Sequence, residues 1–125
     1  MPKVFPELHS SPVIHKLSKP ILTKDDIPYD AALVFNAGVI KHEGKYLMVF
    51  RDDYGTDEQS FSPEHRFKGI KLGIAVSDNG IDGWKVWEKP LIDSVDITDS
   101  EVQRFYDPRI TKIDGKLYLC LAMDT

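Results

Sequence analysis

The stretch "FYDPRITKIDGKLYLCLA" occupies residues 105–122, and 71 positions earlier, at 34–51, the chain reads "VFNAGVIKHEGKYLMVFR". Both copies consist of an apolar run, a lysine, an acid-Gly-Lys turn and a second apolar run. Asp114-Gly115 is among the strongest two-residue hairpin signals, and His42-Glu43-Gly44 is its counterpart in the first copy. Each copy is therefore expected to fold as a β-hairpin. Among the differences between the copies one stands out, Asn36 in the first standing where Asp107 stands in the second.

Working outward, "GIKLGIAV" (69–76) and "WKVW" (84–87) read as further strands, joined by Ser77-Asp78-Asn79-Gly80 with Asn-Gly at the turn. No segment sustains a helical period beside its Pro and Gly residues, so the fold class is all-β. "KPIL" at 19–22 precedes the first copy and "KPLI" at 89–92 the second, which extends the repeat to a unit of about 70 residues. A tandem unit of short antiparallel strands is the pattern of a β-propeller blade, lengthened here by loops at 52–68 and 91–104. Fewer than two such units are present, whereas a propeller ring needs about four or more. The sequence is thus expected to be one N-terminal fragment, residues 1–125, of a larger propeller domain, with about 1–18 as an extension before the first repeat.

Composition bounds the chemistry. The 125 residues are 42% hydrophobic and 29% charged with a formal net charge of −4, which argues against a nucleic-acid or anionic-membrane partner. The N-terminus lacks an apolar signal core and nowhere do 18 apolar residues run together, so a cytoplasmic location is expected. Cys120 is the single cysteine and sits in an apolar strand, which predicts a buried, inert thiol. The four histidines (9, 15, 42 and 65) match no zinc spacing, and "DDYGTDE" lacks the pattern of a calcium loop, so no metal is expected. Trp84 and Trp87 point to opposite faces of a strand, with core packing expected for at least one of them.

If equivalent strands of successive blades line one channel, Asn36 and Asp107 converge there, one offering hydrogen bonds and the other a proton. Pro108 is expected to hold Asp107 extended, with Arg109 sharing its strand face. Asp107 then reads either as a ligand-facing carboxyl or as half of a structural Asp-Arg pair. "RDDYG" (51–55) reads either as a solvated charged loop or as a cluster at the channel mouth that grips sugar hydroxyls.

Three stretches taken in order, "VFNAGVIKHEGKYLMVFRDDYG", "LGIAVSDNGIDGWKVWEKP" and "YDPRITKIDGKLYLCLAMDT", resemble the N-terminal part of glycoside hydrolase family 130, over roughly residues 19–125. That family consists mostly of β-mannoside phosphorylases on a five-bladed β-propeller. The resemblance implies that Asp107, in "YDPRIT", is the proton donor and that Asn36 contacts the donor sugar. Arg51, Asp53, Tyr106 and Arg109 fall where substrate contacts are expected. It implies inverting phosphorolysis of β-mannosides to α-mannose 1-phosphate, with inorganic phosphate as co-substrate and no cofactor. The basic residues that hold phosphate would lie in later blades, beyond residue 125. A β-mannoside hydrolase of the same family and a noncatalytic carbohydrate-binding propeller are the rival readings. The expected partners are a β-mannoside oligosaccharide and phosphate, with a homo-oligomer as an allowed state.

Overall fold

The computed structural model describes residues 11–55 and 68–125. Seven strands carry the described part of the chain: β1 (Leu33–His42), β2 (Lys45–Tyr54), β3 (Gly69–Ser77), β4 (Lys85–Val86), β5 (Ile92–Asp93), β6 (Arg104–Ile113) and β7 (Lys116–Asp124). Two one-turn 3₁₀ helices, Lys24–Asp26 and Ser94–Asp96, are the only helices among the described residues, so the fold class is all-β as expected. None of these is long and apolar enough to cross a membrane.

Both hairpins form where the turn residues demand. Glu43-Gly44 has φ of 51° and 76°, and Asp114-Gly115 has 49° and 77°. Two consecutive positive φ values are the mark of a type I′ turn, whose twist matches that of the flanking strands. β1, β2, β3 and β4 form an antiparallel sheet in that order, and β5 pairs with the other end of the same β3 edge. The outer strand is interrupted near Pro90, which has no N–H to give a ladder. β6 and β7 form a second, two-stranded sheet.

Strand alternation sorts the core into two layers. β6 packs across β1, β2 and β3, and Val49, Ile70, Leu72, Ile74 and Phe105 are buried between the sheets. The opposite face of the first sheet buries Met48, Phe50 and Ala75 against Ile27 from the N-terminal segment. Buried on both faces, β3 is apolar almost without interruption, as such strands are. Trp84 packs against this second layer and Trp87 is exposed, which meets the expectation for the pair.

Three local expectations are corrected. "RDDY" is not a solvated loop but the end of β2, where Asp52 and Asp53 are buried because both faces of the strand are covered. Cys120 is exposed rather than buried, because β7 is the edge of a two-stranded sheet with one face uncovered. Asp107 is not extended: its φ is +52°. Proline disfavours the right-handed helical region for the residue before it, and here the chain escapes into the left-handed region, which Asp tolerates better than most residues. His9, His65 and most of the 52–68 loop lie outside the described residues, as do residues 1–10 of the expected extension.

The buried Asp52 stands opposite Lys71 in the β2–β3 register, and among the described residues its two carboxyl oxygens accept no well-formed hydrogen bond. Lys71 donates to the Asp30 carbonyl at 3.1 Å and lies 3.6 Å from the centre of the Tyr54 ring. Burial pushes the Asp52 carboxyl up to about 7, against the opposing pull of the Lys71 charge.

Candidate active site at the paired bulges

The repeat extends to a backbone irregularity that places the site. The β1–β2 register slips between Phe35 and Gly38, and the β6–β7 register slips between Tyr106 and Arg109. These positions correspond under the 71-residue offset. In each bulge one residue is left-handed, Asn36 at +48° and Asp107 at +52°. Bulges of this kind re-aim a side chain out of the strand's alternation. Asn and Asp suit them because a short polar side chain lowers the cost of positive φ.

The two bulges touch. Gly38 is packed so closely that a Cβ there would stand 2.7 Å from the Pro108 carbonyl oxygen and 3.0 Å from Arg109 Cα. With no side chain between them, the sheets approach until Asn36 Nδ2 donates to Asp107 Oδ1 at 2.8 Å. The amide on the first copy can donate this bond, which an ionised carboxylate there could not.

Arg51 completes the group. From the end of β2 its Nη1 reaches within 3.6 Å of the same Asp107 oxygen. Its Nε and Nη2 grip both oxygens of Asp53, at 2.7 and 2.8 Å, in the forked geometry that a planar guanidinium favours. The guanidinium carbon lies 4.7 Å from the Phe35 ring centre and 5.1 Å from that of Tyr106, within cation–π range. Burial alone would lower the Arg51 pKa, but the bond and charge of Asp53, aided by Asp107, carry it above its ordinary value. The cation is therefore permanent and its direction fixed. Asp107 keeps 37% of its side-chain surface open to solvent, against 16% for Arg51, so the carboxyl can be reached.

The sequence-derived candidates thus divide. Asn36, Arg51, Tyr106 and Asp107 come together, with Asp53 directly behind Arg51. Arg109 does not join them. The bulge breaks the alternation that would have put it on the face of Asp107, and its Nη1 instead donates to the Pro108 carbonyl at 2.8 Å. The cation beside Asp107 comes from the other hairpin.

Two contributors escaped the sequence reading. Phe35 supports Arg51, and Asp124 accepts from Tyr106 Oη at 2.7 Å and from Arg104 Nε at 2.9 Å. The repeat held the signal for both: the offset that pairs Asn36 with Asp107 also pairs Phe35 with Tyr106 and Asp53 with Asp124. A cleft of about 470 Å³ is lined by Arg51 and Asp53 together with Lys68, Ser94, Gln103 and Arg104. Asn36 and Asp107 stand outside its lining. Among the described residues no group of three or more His, Cys, Asp or Glu is placed to hold a metal ion.

No family profile matches the chain. Individual proteins do. It is 38% identical over 84 residues to a 4-O-β-D-mannosyl-D-glucose phosphorylase of Bacteroides fragilis, covering 66% of this chain and 18% of that protein. It is 33% identical over 105 residues to a β-1,2-mannobiose phosphorylase of Thermoanaerobacter sp. (strain X514), covering 82% of this chain and 34% of the relative. A 1,2-β-oligomannan phosphorylase of the same organism is 32% identical over 102 residues, covering 81% and 32%. The chain therefore spans about a third or less of the length of these curated relatives. Over that length the motifs of its two hairpins and these three matches agree, and they place the chain with the N-terminal portion of glycoside hydrolase family 130.

Proposed function

We propose that this chain supplies the general acid and part of the sugar site of a β-mannoside phosphorylase. The observation that carries the reading is the 2.8 Å bond from Asn36 Nδ2 to Asp107 Oδ1, made between equivalent bulges of two repeats beside a fixed arginine. Because Oδ1 accepts from the amide and faces the Arg51 cation, the transferable proton belongs on the second oxygen, Oδ2. Asn36, Arg51 and Tyr106 form the sugar-facing surface. Asp53 serves that surface through Arg51, since both its oxygens are taken.

In the reaction a phosphate oxygen attacks the anomeric carbon from the face opposite the glycosidic bond. That bond breaks, its electrons go to the leaving sugar oxygen, and the Asp107 proton reaches that oxygen directly or through a sugar hydroxyl. The products are α-mannose 1-phosphate and a shortened acceptor. An inverting glycosidase working with water needs a second carboxylate to deprotonate it. Phosphate is already a competent nucleophile, so one acid suffices and no metal or other cofactor is needed. We further propose a five-bladed propeller as the whole domain, acting in the cytoplasm. The meander of the first sheet and the equivalent hairpin that opens the second, at a 71-residue interval, support that architecture.

The test is to incubate the protein containing this chain with β-mannobiose, with and without inorganic phosphate. Formation of α-mannose 1-phosphate only when phosphate is present is expected. Release of free mannose at an equal rate without phosphate would make the protein a hydrolase and overturn the reading.

A further inference from the structure

Asp124 ends β7 and lies 71 positions after Asp53, which ends the corresponding part of β2. Each of these carboxylates spends both oxygens on groups that lead to the site. Asp53 grips Arg51. Asp124 uses Oδ1 for the Tyr106 hydroxyl at 2.7 Å and Oδ2 for the Arg104 guanidinium. Its own backbone is held as well, its carbonyl accepting from Gln103 N at 2.8 Å. Tyr106 immediately precedes Asp107 in the bulge, and its ring lies beneath Arg51. In the first copy Phe35 performs the same support at 4.7 Å without any hydroxyl to anchor it. The phenol of the second copy thus serves one visible purpose, to tie the ring to Asp124.

We propose that Asp124 is a positioning residue: through Tyr106 it fixes the ring on which Arg51 rests, and so the direction from which Arg51 meets the Asp107 carboxyl. This rests on the reading of Asp107 as the acid. The network is poorly suited to a purely stabilising role, since Arg104 is 57% and Asp124 30% exposed, and ion pairs this open to water contribute little to stability. Its geometry, by contrast, bears directly on the reacting carboxyl. The Tyr106 bond and then the Arg104 bond hold the Asp124 carboxyl below its usual range, so it is a charged acceptor at neutral pH.

The experiment compares Asp124→Ala, Tyr106→Phe, the double variant and Asp107→Asn, in the protein containing this chain. Two substrates are used, β-mannobiose and a nitrophenyl β-mannoside whose leaving group needs little protonation. On the disaccharide each single variant should lose about tenfold in kcat, with the double losing no more than either. On the nitrophenyl substrate the losses should shrink, at an unchanged thermal midpoint. Three results would each overturn the proposal while leaving the acid assignment intact, provided Asp107→Asn is inactive: wild-type kcat in Asp124→Ala, multiplied losses in the double variant, or equal losses on both substrates. Full turnover by Asp107→Asn would remove the acid assignment and this proposal together.

Discussion

Replacing Gly38 by alanine probes the link between packing and chemistry, because it adds one methyl group where the two hairpins meet. The new Cβ would stand 2.7 Å from the Pro108 carbonyl oxygen, and that neighbour is backbone, which cannot swing aside. An ordinary C···O contact is about 3.3 Å, so the bulges must part by roughly 0.6 Å. If the movement runs along the Asn36–Asp107 direction, the 2.8 Å bond lengthens to about 3.4 Å, where it no longer counts for much. Overpacking of this sort costs about 1–3 kcal/mol of stability. Misplacement of a reacting group by 1 Å can cost about a hundredfold in rate, so roughly tenfold is expected here. The assay is kcat for phosphorolysis in the intact protein, read with the thermal midpoint. Gly38→Ala with turnover within twofold of wild type and an unchanged midpoint would refute the idea that close contact of the bulges sets the site.

Three more outcomes follow from the same structure. Asp52 carries a carboxyl raised from 3.8 to about 7 by burial, so the folded state binds its proton more tightly than the unfolded chain does. Its contribution to stability is therefore greatest below pH 4 and declines until about pH 7, by about 4 kcal/mol in all. Asp52→Asn should then match wild type near pH 4 and melt at higher temperature at pH 8, and a melting difference that does not vary with pH would contradict this. Arg51→Lys keeps the charge but loses the fork to Asp53 and the flat face laid on Phe35 and Tyr106, so kcat/KM should drop about tenfold or more; full activity would show that a point charge is enough. Cys120 is exposed here, but if a further part of a propeller covers the open β7 side, its thiol in the intact protein should resist alkylation until denaturant is added. Immediate labelling of the folded protein would count against that packing.

Much of this arrangement could be read in the sequence, and the reasons differ by residue. The hairpins were legible because Asp114-Gly115 and Glu43-Gly44 are turn chemistry flanked by apolar strands. The convergence of Asn36 and Asp107 was legible because they occupy equal places in a repeat. What the sequence concealed is the bulge. A strand read by strict alternation puts Arg109 on the face of Asp107, and only a residue at positive φ breaks that rule. The identity of the cation followed from the same omission, since Arg51 reaches Asp107 across the sheets rather than along a strand. The burial of Asp52 and Asp53 was hidden because charge density suggests solvent, whereas here Arg51 pairs with Asp53 and burial pushes the Asp52 carboxyl towards its neutral form beneath covering layers. Cys120 erred the other way: an apolar setting in sequence says nothing about whether a sheet face is covered.

The account depends on Asp107 giving up a proton in a site where Asn36 and Arg51 hold it. The most direct measurement is Asp107→Asn in the intact protein, with disaccharide binding followed by calorimetry and α-mannose 1-phosphate formation followed by rate. The substitution keeps the shape and removes the acid, so binding should persist within a few fold while turnover falls about a hundredfold to ten-thousandfold, the usual worth of a positioned acid. Turnover close to wild type in that variant would contradict the assignment outright.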